Sequence, residues 1–380
     1  MELRDLHLAR AGITVYLKEL VSRLIQFDDL SIRGTVLRMG GLIHHFVEPA
    51  DYEQFKIPLA ETRLPEWIIN EQPHSLKLRL VKCILTPFIP SYNFFVRDNE
   101  SDVFLFLNSQ APSLPVRGKI ITCLHDITPF RVPETFPPSY IDVFKGFFSN
   151  VLKNATKIIT DSEFSKQDII DYAHIDESRI EVVYCGVNAE EFAMPCPSPE
   201  NVRAKYNLPE KYVLYFGTCG PRKNVESVVR AYARLPEATR HEYALVITNP
   251  SDAVKACAAE NNVTPHYLSG VSTEDKPAVY QMASVLVWLS IYEGFGLPIV
   301  EAQAAGTPVV CSNVTSLPEV AGDAAVLVEP MDTEAAAAAI ERCLYDAPFR
   351  QDLTARGREN IKRFSWDNAA EKLHDIIINL

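Results

Sequence analysis

The sequence contains no apolar run of about 18 residues, the length that a membrane-spanning helix requires, and no secretion signal. Neither a membrane span nor secretion is predicted, and a cytoplasmic location is expected. Basic residues are also scarce, since 37 lysines and arginines face 49 aspartates and glutamates, which gives a formal net charge of −12. A surface of that sign repels phosphate backbones, so we predict no nucleic-acid partner.

The sequence also lacks cysteines at the spacings of paired sites. The eight cysteines are scattered, and no two have the spacing of a zinc site or of a redox pair. We therefore expect reduced, mostly buried thiols. An Asp-x-Asp metal motif is missing as well, so no metal site and no cofactor are predicted.

The length and the pattern of the chain predict two α/β domains. A chain of 380 residues exceeds one comfortable core, and two domains of about 190 residues fit the usual size range. Short apolar strands alternate with helical patterns in both halves, which is typical of doubly wound parallel sheets. Strands of the second half are predicted at Val213, Ala244, Tyr267, Val285, Val309 and Val326.

The domain boundaries follow from a loss of periodicity. Residues 187–201 carry several prolines, so we predict an interdomain linker there, with regular structure resuming only near Val202. An amino-terminal domain then spans 1–186 and a carboxy-terminal domain spans 202–364. Residues 365–380 have apolar positions at helical spacing and predict a final helix.

Two adjacent cations follow a predicted buried strand of the second half. Arg222 and Lys223 come after the apolar run Tyr212–Phe216 and a turn that begins at Gly217. Arginine offers a planar donor fork and lysine a compact charge. Asn224 is predicted to cap the next helix, whose amino terminus attracts anions. The motif therefore predicts a site for a diphosphate.

A second motif, at 292–306, places Glu293 and Glu301 around a glycine-containing turn. Their spacing of eight residues is a little over two helical turns, which suggests one carboxylate at the mouth of a site and one deeper along a helix. Carboxylates accept hydrogen bonds from sugar and ribose hydroxyls. His125 follows another apolar strand, at the end where α/β folds bind ligands. Together these residues predict a pocket for a nucleotide diphosphate sugar.

In their order and spacing, these motifs resemble the retaining glycosyltransferases of family 4, which have the GT-B fold. The resemblance covers nearly the whole chain and rests on LHDITPF, GTCGPRKN, EGFGLPIVEA and SLPEVAGDAAVLVEP. It implies two Rossmann-like domains that face each other across a cleft. The acceptor would bind to the first domain and the nucleotide sugar to the second, and the final helix would cross back to the first domain.

The resemblance also implies the roles of individual residues. Catalytic roles are implied for His125, Arg222, Lys223 and Glu293, and donor contacts for Gly12, Gly217, Arg222, Lys223, Glu293, Phe295, Gly296, Leu297 and Glu301. Glu301 is expected to bind the ribose, Glu293 to face the transferred sugar, and His125 to touch donor and acceptor. The family often has a second glycine two positions after Gly12, where this chain has Thr14.

The implied reaction is a metal-independent hexosyl transfer with retention. Mannose from GDP-mannose is favoured, and the acceptor would be a hydroxyl of a glycan or of a polyprenyl-linked glycan in surface polysaccharide assembly. UDP sugars and dTDP-rhamnose stay open as donors. Two alternatives are an epimerase of the same fold, which product analysis without acceptor distinguishes, and a non-catalytic nucleotide-binding partner, which would bind without turnover.

Two further expectations concern the first half. Only Met1–Leu3 precede a segment that resembles the exit of the family's first strand, so that strand is expected to be truncated, through a misassigned start or trimming. Residues 74–89 mix Lys77, Arg79 and Lys82 with apolar residues. A core-packed helix with a solvated basic edge is the favoured interpretation. The alternative is a peripheral contact with the inner face of the membrane that delivers a lipid-linked acceptor.

Overall fold

The structure, a computed structural model, describes residues 12–32, 101–107 and 117–380. The expectations for the first strand and for the basic segment 74–89 lie outside these ranges. Within the ranges, no helix combines the length and the apolar character needed to cross a bilayer. The seven cysteines of the described residues are unpaired thiols, and five of them are buried, as expected.

The amino-terminal part carries a parallel sheet. Its strands are β1 (Val103–Phe106), β2 (Lys119–Cys123), β3 (Lys157–Thr160) and β4 (Ile180–Val182), and its helices are α1 (Gly12–Leu24), α2 (Thr128–Arg131), α3 (Pro138–Asn154) and α4 (Glu163–Ala173). The strands pair in the order β1-β2-β3-β4, each parallel to its neighbour. The carboxyl ends of β2 and β3 therefore lie side by side.

The carboxy-terminal part carries a second parallel sheet. Its strands are β5 (Tyr212–Tyr215), β6 (Ala244–Thr248), β7 (His266–Leu268), β8 (Val285–Trp288), β9 (Val309–Ser312) and β10 (Val326–Val328). Its helices are α7 (Val225–Ala233), α8 (Glu237–Glu242), α9 (Asp252–Glu260), α10 (Lys276–Gln281), α11 (Leu297–Ala305), α12 (Leu317–Ala321), α13 (Thr333–Tyr345) and α14 (Ala347–Asn360). All six predicted strands are confirmed.

The order of the second sheet identifies its ligand-binding edge. The strands run β7-β6-β5-β8-β9-β10, the order of a dinucleotide-binding domain. The chain moves outward in one direction from β5 and in the other direction from β8. Loops after these two neighbouring strands diverge, and they open a crevice at the carboxyl ends of the strands.

The prediction that regular structure resumes only near Val202 is wrong. Helix α5 (Ala189–Ala193) lies inside the predicted linker, and helix α6 (Pro199–Tyr206) begins three residues before Val202. Proline lacks an N–H and has a helical φ, so Pro199 suits the first position of a helix. The end of α5 is held by the carboxy-terminal domain, since Gln281 donates to the carbonyls of Phe192 and Met194 at 2.7 Å each.

The final helix, α15 (Trp366–Ile378), crosses back to the amino-terminal part as expected. Arg23 of α1 pairs with Asp367 at 2.5 Å. His374 stacks on Phe27 with ring centroids 4.1 Å apart and pairs with Asp29. The crossing joins the two domains at the side where the linker also passes.

Candidate functional site

Arg222, Lys223 and Glu293 meet at the crevice between β5 and β8. The two cations lie in a short 3₁₀ turn after β5, and Glu293 lies in the loop after β8. Arg222 donates to the Glu293 carboxylate at 2.8 Å and also to the carbonyl of Tyr292 at 2.9 Å. Lys223 donates to the other carboxylate oxygen at 2.5 Å. Residues about 70 positions apart therefore form one ionic cluster.

Glu293 is buried, the two cations are partly buried, and the three charges affect one another. Burial by itself would raise the pKa of Glu293, but Arg222 and Lys223 outweigh it and lower that pKa to about 2. Burial lowers the pKa of Lys223, against the attraction of Glu293. The pKa of Arg222 is raised, because Glu293 and Asp126 outweigh its burial. Two cations thus bind one carboxylate directly, and both also interact with the negative charge of Asp126, so a diphosphate would compete with these carboxylates for the two cations.

Trp288, the last residue of β8, lies beside the ammonium of Lys223. The ammonium of Lys223 lies 4.8 Å from the centroid of the Trp288 ring, within the range of a cation–π contact. A Cβ at Gly217 would lie 2.7 Å from the same ring, so only glycine fits there. The Gly217 amide donates to Thr248 at 2.7 Å. The donor contact of Gly217 stays a prediction.

Asn224 does not cap the following helix, contrary to the prediction. Its φ of 52° places it in the left-handed region, and its side chain makes no capping bond. The amide instead donates to the carbonyls of Leu289 at 2.9 Å and of Pro330 at 2.8 Å. A buried amide satisfies two loop carbonyls here, which is worth more than a bond to one helix amide that water could satisfy.

The turn that contains Glu293 is held by its backbone. The hydroxyl of Ser316 donates to the carbonyls of Glu293 and Phe295 at 2.9 Å each. Gly296 has a φ of 109°, and Leu297 begins α11. The Phe295 ring is buried against Phe364, with centroids 5.4 Å apart. Any donor contact of Phe295, Gly296 and Leu297 would therefore come from the backbone amides of this turn, which stays a prediction.

The sequence places Glu293 before the turn and Glu301 in the helix that follows it, and the structure agrees, although helical turns do not separate the two carboxylates. Only Glu301 lies in α11, because the left-handed backbone of Gly296 prevents the helix from extending toward Glu293. Glu301 is buried and accepts hydrogen bonds from Lys276 and from the hydroxyl of Tyr280, the latter at 2.9 Å. The two carboxylates thus have separate partners, and the predicted ribose contact of Glu301 is untested.

His125 lies at the end of β2, in the opposite domain. Its Nδ1 donates to Asp161, which follows the neighbouring strand β3, at 2.8 Å. Burial would lower the pKa of His125, but the negative charge of Asp161 outweighs it and raises that pKa well above the ordinary value. Tyr16 packs edge-on against the ring with centroids 5.1 Å apart. The imidazole is therefore fixed in orientation.

Among the described residues, one group has the composition of a metal site: Cys123, His125 and Asp161, whose ligand atoms lie within 4.8 Å of one another. The Nδ1–Oδ2 distance is 2.8 Å, whereas two ligands of a tetrahedral zinc with bonds of about 2.0–2.1 Å stand about 3.3 Å apart. Burial also raises the pKa of Cys123, which disfavours the thiolate that a metal binds. We therefore assign the contact to hydrogen bonding.

Gly294 brings the two halves of the site together. A Cβ at this position would lie 2.9 Å from the Asp126 carboxylate and 3.0 Å from the His125 carbonyl. The turn at 293–297, which we call the donor turn after its predicted role, therefore packs directly against His125 and Asp126. Gly12 is the first residue of α1, and its predicted diphosphate contact is untested.

Several site residues were missed by the sequence reasoning, namely Asp161, Lys276, Tyr280, Trp288 and Gly294. Asp161 and Trp288 stand at the carboxyl ends of predicted strands, so strand order would have revealed them. Lys276 and Tyr280 share one face of α10 and carry no signal of their own, because only the fold brings them to Glu301.

Comparisons with known proteins identify the family of the chain. The model of the family "Glycosyl transferases group 1" matches residues 199–360, and that of "Glycosyltransferase Family 4" matches 44–191. The chain is 38% identical over 257 residues to O-antigen chain mannosyltransferase B of Escherichia coli, covering 66% of this chain and 68% of that protein. It is 30% identical over 275 residues to the E. coli serotype-specific mannosyltransferase WbdA, covering 68% of this chain but only about a third (33%) of that longer protein.

Solved structures show the same fold. WaaG, a glycosyltransferase involved in lipopolysaccharide biosynthesis, superposes with a TM-score of 0.70 at 19% identity over 97% of this chain and 96% of that chain. Anabaena Alr3699/HepE in complex with UDP-glucose gives a TM-score of 0.70 at 16% identity over 98% and 97%. With both halves matched by family models, the chain belongs to the group 1 glycosyl transferases, glycosyltransferases of the GT-B fold.

Proposed function

We propose that the chain transfers a mannosyl residue from GDP-mannose to a hydroxyl of a glycan or lipid-linked acceptor in surface polysaccharide assembly. The names of the similar E. coli mannosyltransferases support the sugar and the pathway class. The ionic cluster of Arg222, Lys223 and Glu293 at the crevice is the observation that supports the chemistry.

The cluster suits a departing diphosphate. Breaking the bond between sugar and phosphate places negative charge on the leaving group, and fixed cations in a buried site stabilise that charge strongly. Arg222 and Lys223 are held by protein contacts in the ligand-free state, so little reorganisation is needed when the donor binds. In this proposal their charge serves where other glycosyltransferases employ a metal ion.

Retention is part of the proposal. The Glu293 carboxylate is shared between two cations and has a pKa of about 2, so it is a poor nucleophile for a covalent glycosyl intermediate. We therefore infer that the acceptor hydroxyl attacks the face from which the diphosphate leaves, and that the departing phosphate takes the proton. In this proposal His125, which is held by Asp161 at 2.8 Å, contacts donor and acceptor from the amino-terminal domain.

The peripheral membrane contact of residues 74–89 stays a prediction. Liposome flotation with anionic lipid at low salt tests it, with Lys77, Arg79 and Lys82 changed to Glu as the comparison. Loss of flotation in the variant supports the contact, and equal flotation of both proteins removes it from the proposal.

A panel of isotope-labelled donors tests the reaction directly. GDP-mannose, GDP-fucose, UDP-glucose, UDP-galactose and dTDP-rhamnose are offered with a mixture of polyprenyl-linked and free oligosaccharide acceptors. Transfer from GDP-mannose alone, with an unchanged anomeric configuration, is the expected result. A different preferred donor corrects the sugar, inversion refutes the mechanism, and conversion of the donor without acceptor would indicate an epimerase.

A further inference from the structure

We propose that Asp161 and Ser162 are positioning residues that align His125 of one domain with the donor turn at Gly294 of the other. The proposal rests on the transfer reaction proposed above and adds the residues that hold its two halves in register. Both residues belong to one short segment, residues 160–165, between β3 and the first turn of α4.

The first half of this segment fixes His125. The carboxylate of Asp161 accepts from Nδ1 at 2.8 Å, and the hydroxyl of Thr160 donates to the His125 carbonyl at 3.2 Å. These contacts follow from the parallel register of β2 and β3, which brings their ends together. Asp161 and His125 are 6% and 9% exposed, so solvent competes little for their hydrogen bond. Ring and backbone of the histidine are both held by this segment.

The second half of the segment fixes the donor turn. The hydroxyl of Ser162 donates to the Gly294 carbonyl at 2.7 Å, and that of Ser165 donates to the same carbonyl at 3.2 Å. Ser162 also accepts from the Ser165 amide at 3.0 Å as the cap of α4. Gly294 belongs to the carboxy-terminal domain, so these bonds cross the cleft. Its neighbour Glu293 binds the two cations, so the hydrogen bonds of Ser162 and Ser165 to Gly294 lie next to the ionic cluster.

Contacts from the carboxy-terminal domain hold α4 in place. The carboxylate of Glu319 accepts from the amides of Glu163 at 2.8 Å and Phe164 at 2.9 Å. A negative charge at the amino terminus of a helix is favourable. Farther along α4, Asp168 accepts from the hydroxyl of Tyr292 at 2.6 Å. The contacts made by Ser162, Glu319 and Tyr292 all join the two domains, so they hold α4 and the segment before it against the donor turn.

Asp161 is tested by Asp161→Asn, with Asp171→Asn on the exposed side of α4 as a matched control. We expect a decrease in kcat of about tenfold to a hundredfold for Asp161→Asn, as for a misplaced reacting group, and no change for the control. The imidazole pKa of His125 should also fall, because its largest favourable partner is lost. The other titratable groups facing the ring are Tyr16 and Cys123.

The imidazole pKa is measured by NMR titration, with His125→Gln to assign the signal. This readout does not need turnover, so it separates failure of the positioning role from failure of the proposed reaction. An unchanged imidazole pKa in Asp161→Asn overturns the positioning role of Asp161, even when the protein shows no transfer from any donor.

Ser162 is tested by Ser162→Ala together with Ser162→Thr, which keeps the hydroxyl. We expect Ser162→Ala to lower kcat about tenfold with an unchanged dissociation constant for GDP, since the cation cluster is intact. Ser162→Thr should recover most of the rate. Wild-type kcat in Ser162→Ala, or equal losses in both variants, would overturn the role of the hydroxyl. Calorimetric GDP titration, which needs no turnover, shows whether the variants still bind nucleotide.

Discussion

Glu293 is the buried counterion of Arg222 and Lys223, and Glu293→Gln should destabilise the ligand-free protein. A fall of its pKa from 4.5 to about 2 corresponds to about 3 kcal/mol, at about 1.4 kcal/mol per pH unit. The side chain is only 7% exposed, so solvent screens this interaction little. Breaking a buried ion pair typically costs about 3–5 kcal/mol, which agrees with this value.

The loss should appear in thermal unfolding at pH 7 as a melting temperature lower by about 6–12 °C, for a domain of roughly this size. Because the folded-state pKa is depressed, the stabilisation is present above pH 4.5 and is lost as the pH falls toward 2. The difference between wild type and Glu293→Gln should therefore shrink in acid. Added GDP should stabilise the variant more than the wild type, because the diphosphate replaces the missing counterion.

Glu359→Gln is the control for this experiment. Glu359 pairs with Lys362 at 2.6 Å, but both side chains are more than two-thirds exposed, at 72% and 68%. Exposed ion pairs contribute little, so its melting temperature should not change. A Glu293→Gln protein that melts like the wild type at pH 7, or gains no more from GDP than the wild type does, would refute the assignment of Glu293 as the buried counterion of Arg222 and Lys223.

Three other predictions follow from the site and the crossing. Arg222→Ala should lower the transfer rate by about 10²–10³-fold, since one charge-stabilising donor is lost; isotope transfer measures this, and an unchanged rate in folded protein contradicts it. EDTA should leave transfer unaffected, whereas a loss restored by added Mg²⁺ or Mn²⁺ would refute metal independence. Gly186→Ala should lower the free energy of unfolding by about 1–3 kcal/mol, because its Cβ would stand 2.3 Å from the Trp366 amide. Urea unfolding measures this loss. Wild-type stability in the variant would show that the start of α15 can shift to admit the methyl group.

The sequence was sufficient to place the strands of the carboxy-terminal domain. Each is a short apolar run, and burial on both faces of a parallel sheet requires such a run. Helix α5, inside the predicted linker, was missed, because it is held by Gln281, about 90 residues away along the chain. Local pattern does not contain such a contact.

The kinds of side chain in the site could also be predicted from the sequence, but most of their hydrogen-bond and ionic partners could not. Cations after one strand and carboxylates after another indicate an anion site wherever the fold brings them. The sequence predicted that Asn224 caps a helix, but in the folded chain its side-chain amide donates to the carbonyl of Pro330, 106 residues away.

Residue order along the chain established the α/β alternation and the kinds of charge available to the site, because both depend on neighbouring residues alone. The three-dimensional arrangement assigned the partners: Glu293 to Arg222 and Lys223, Glu301 to Lys276, and His125 to Asp161. The physical reason is strand order. The carboxyl ends of β5 and β8 become neighbours only once the sheet reverses its direction of winding between them.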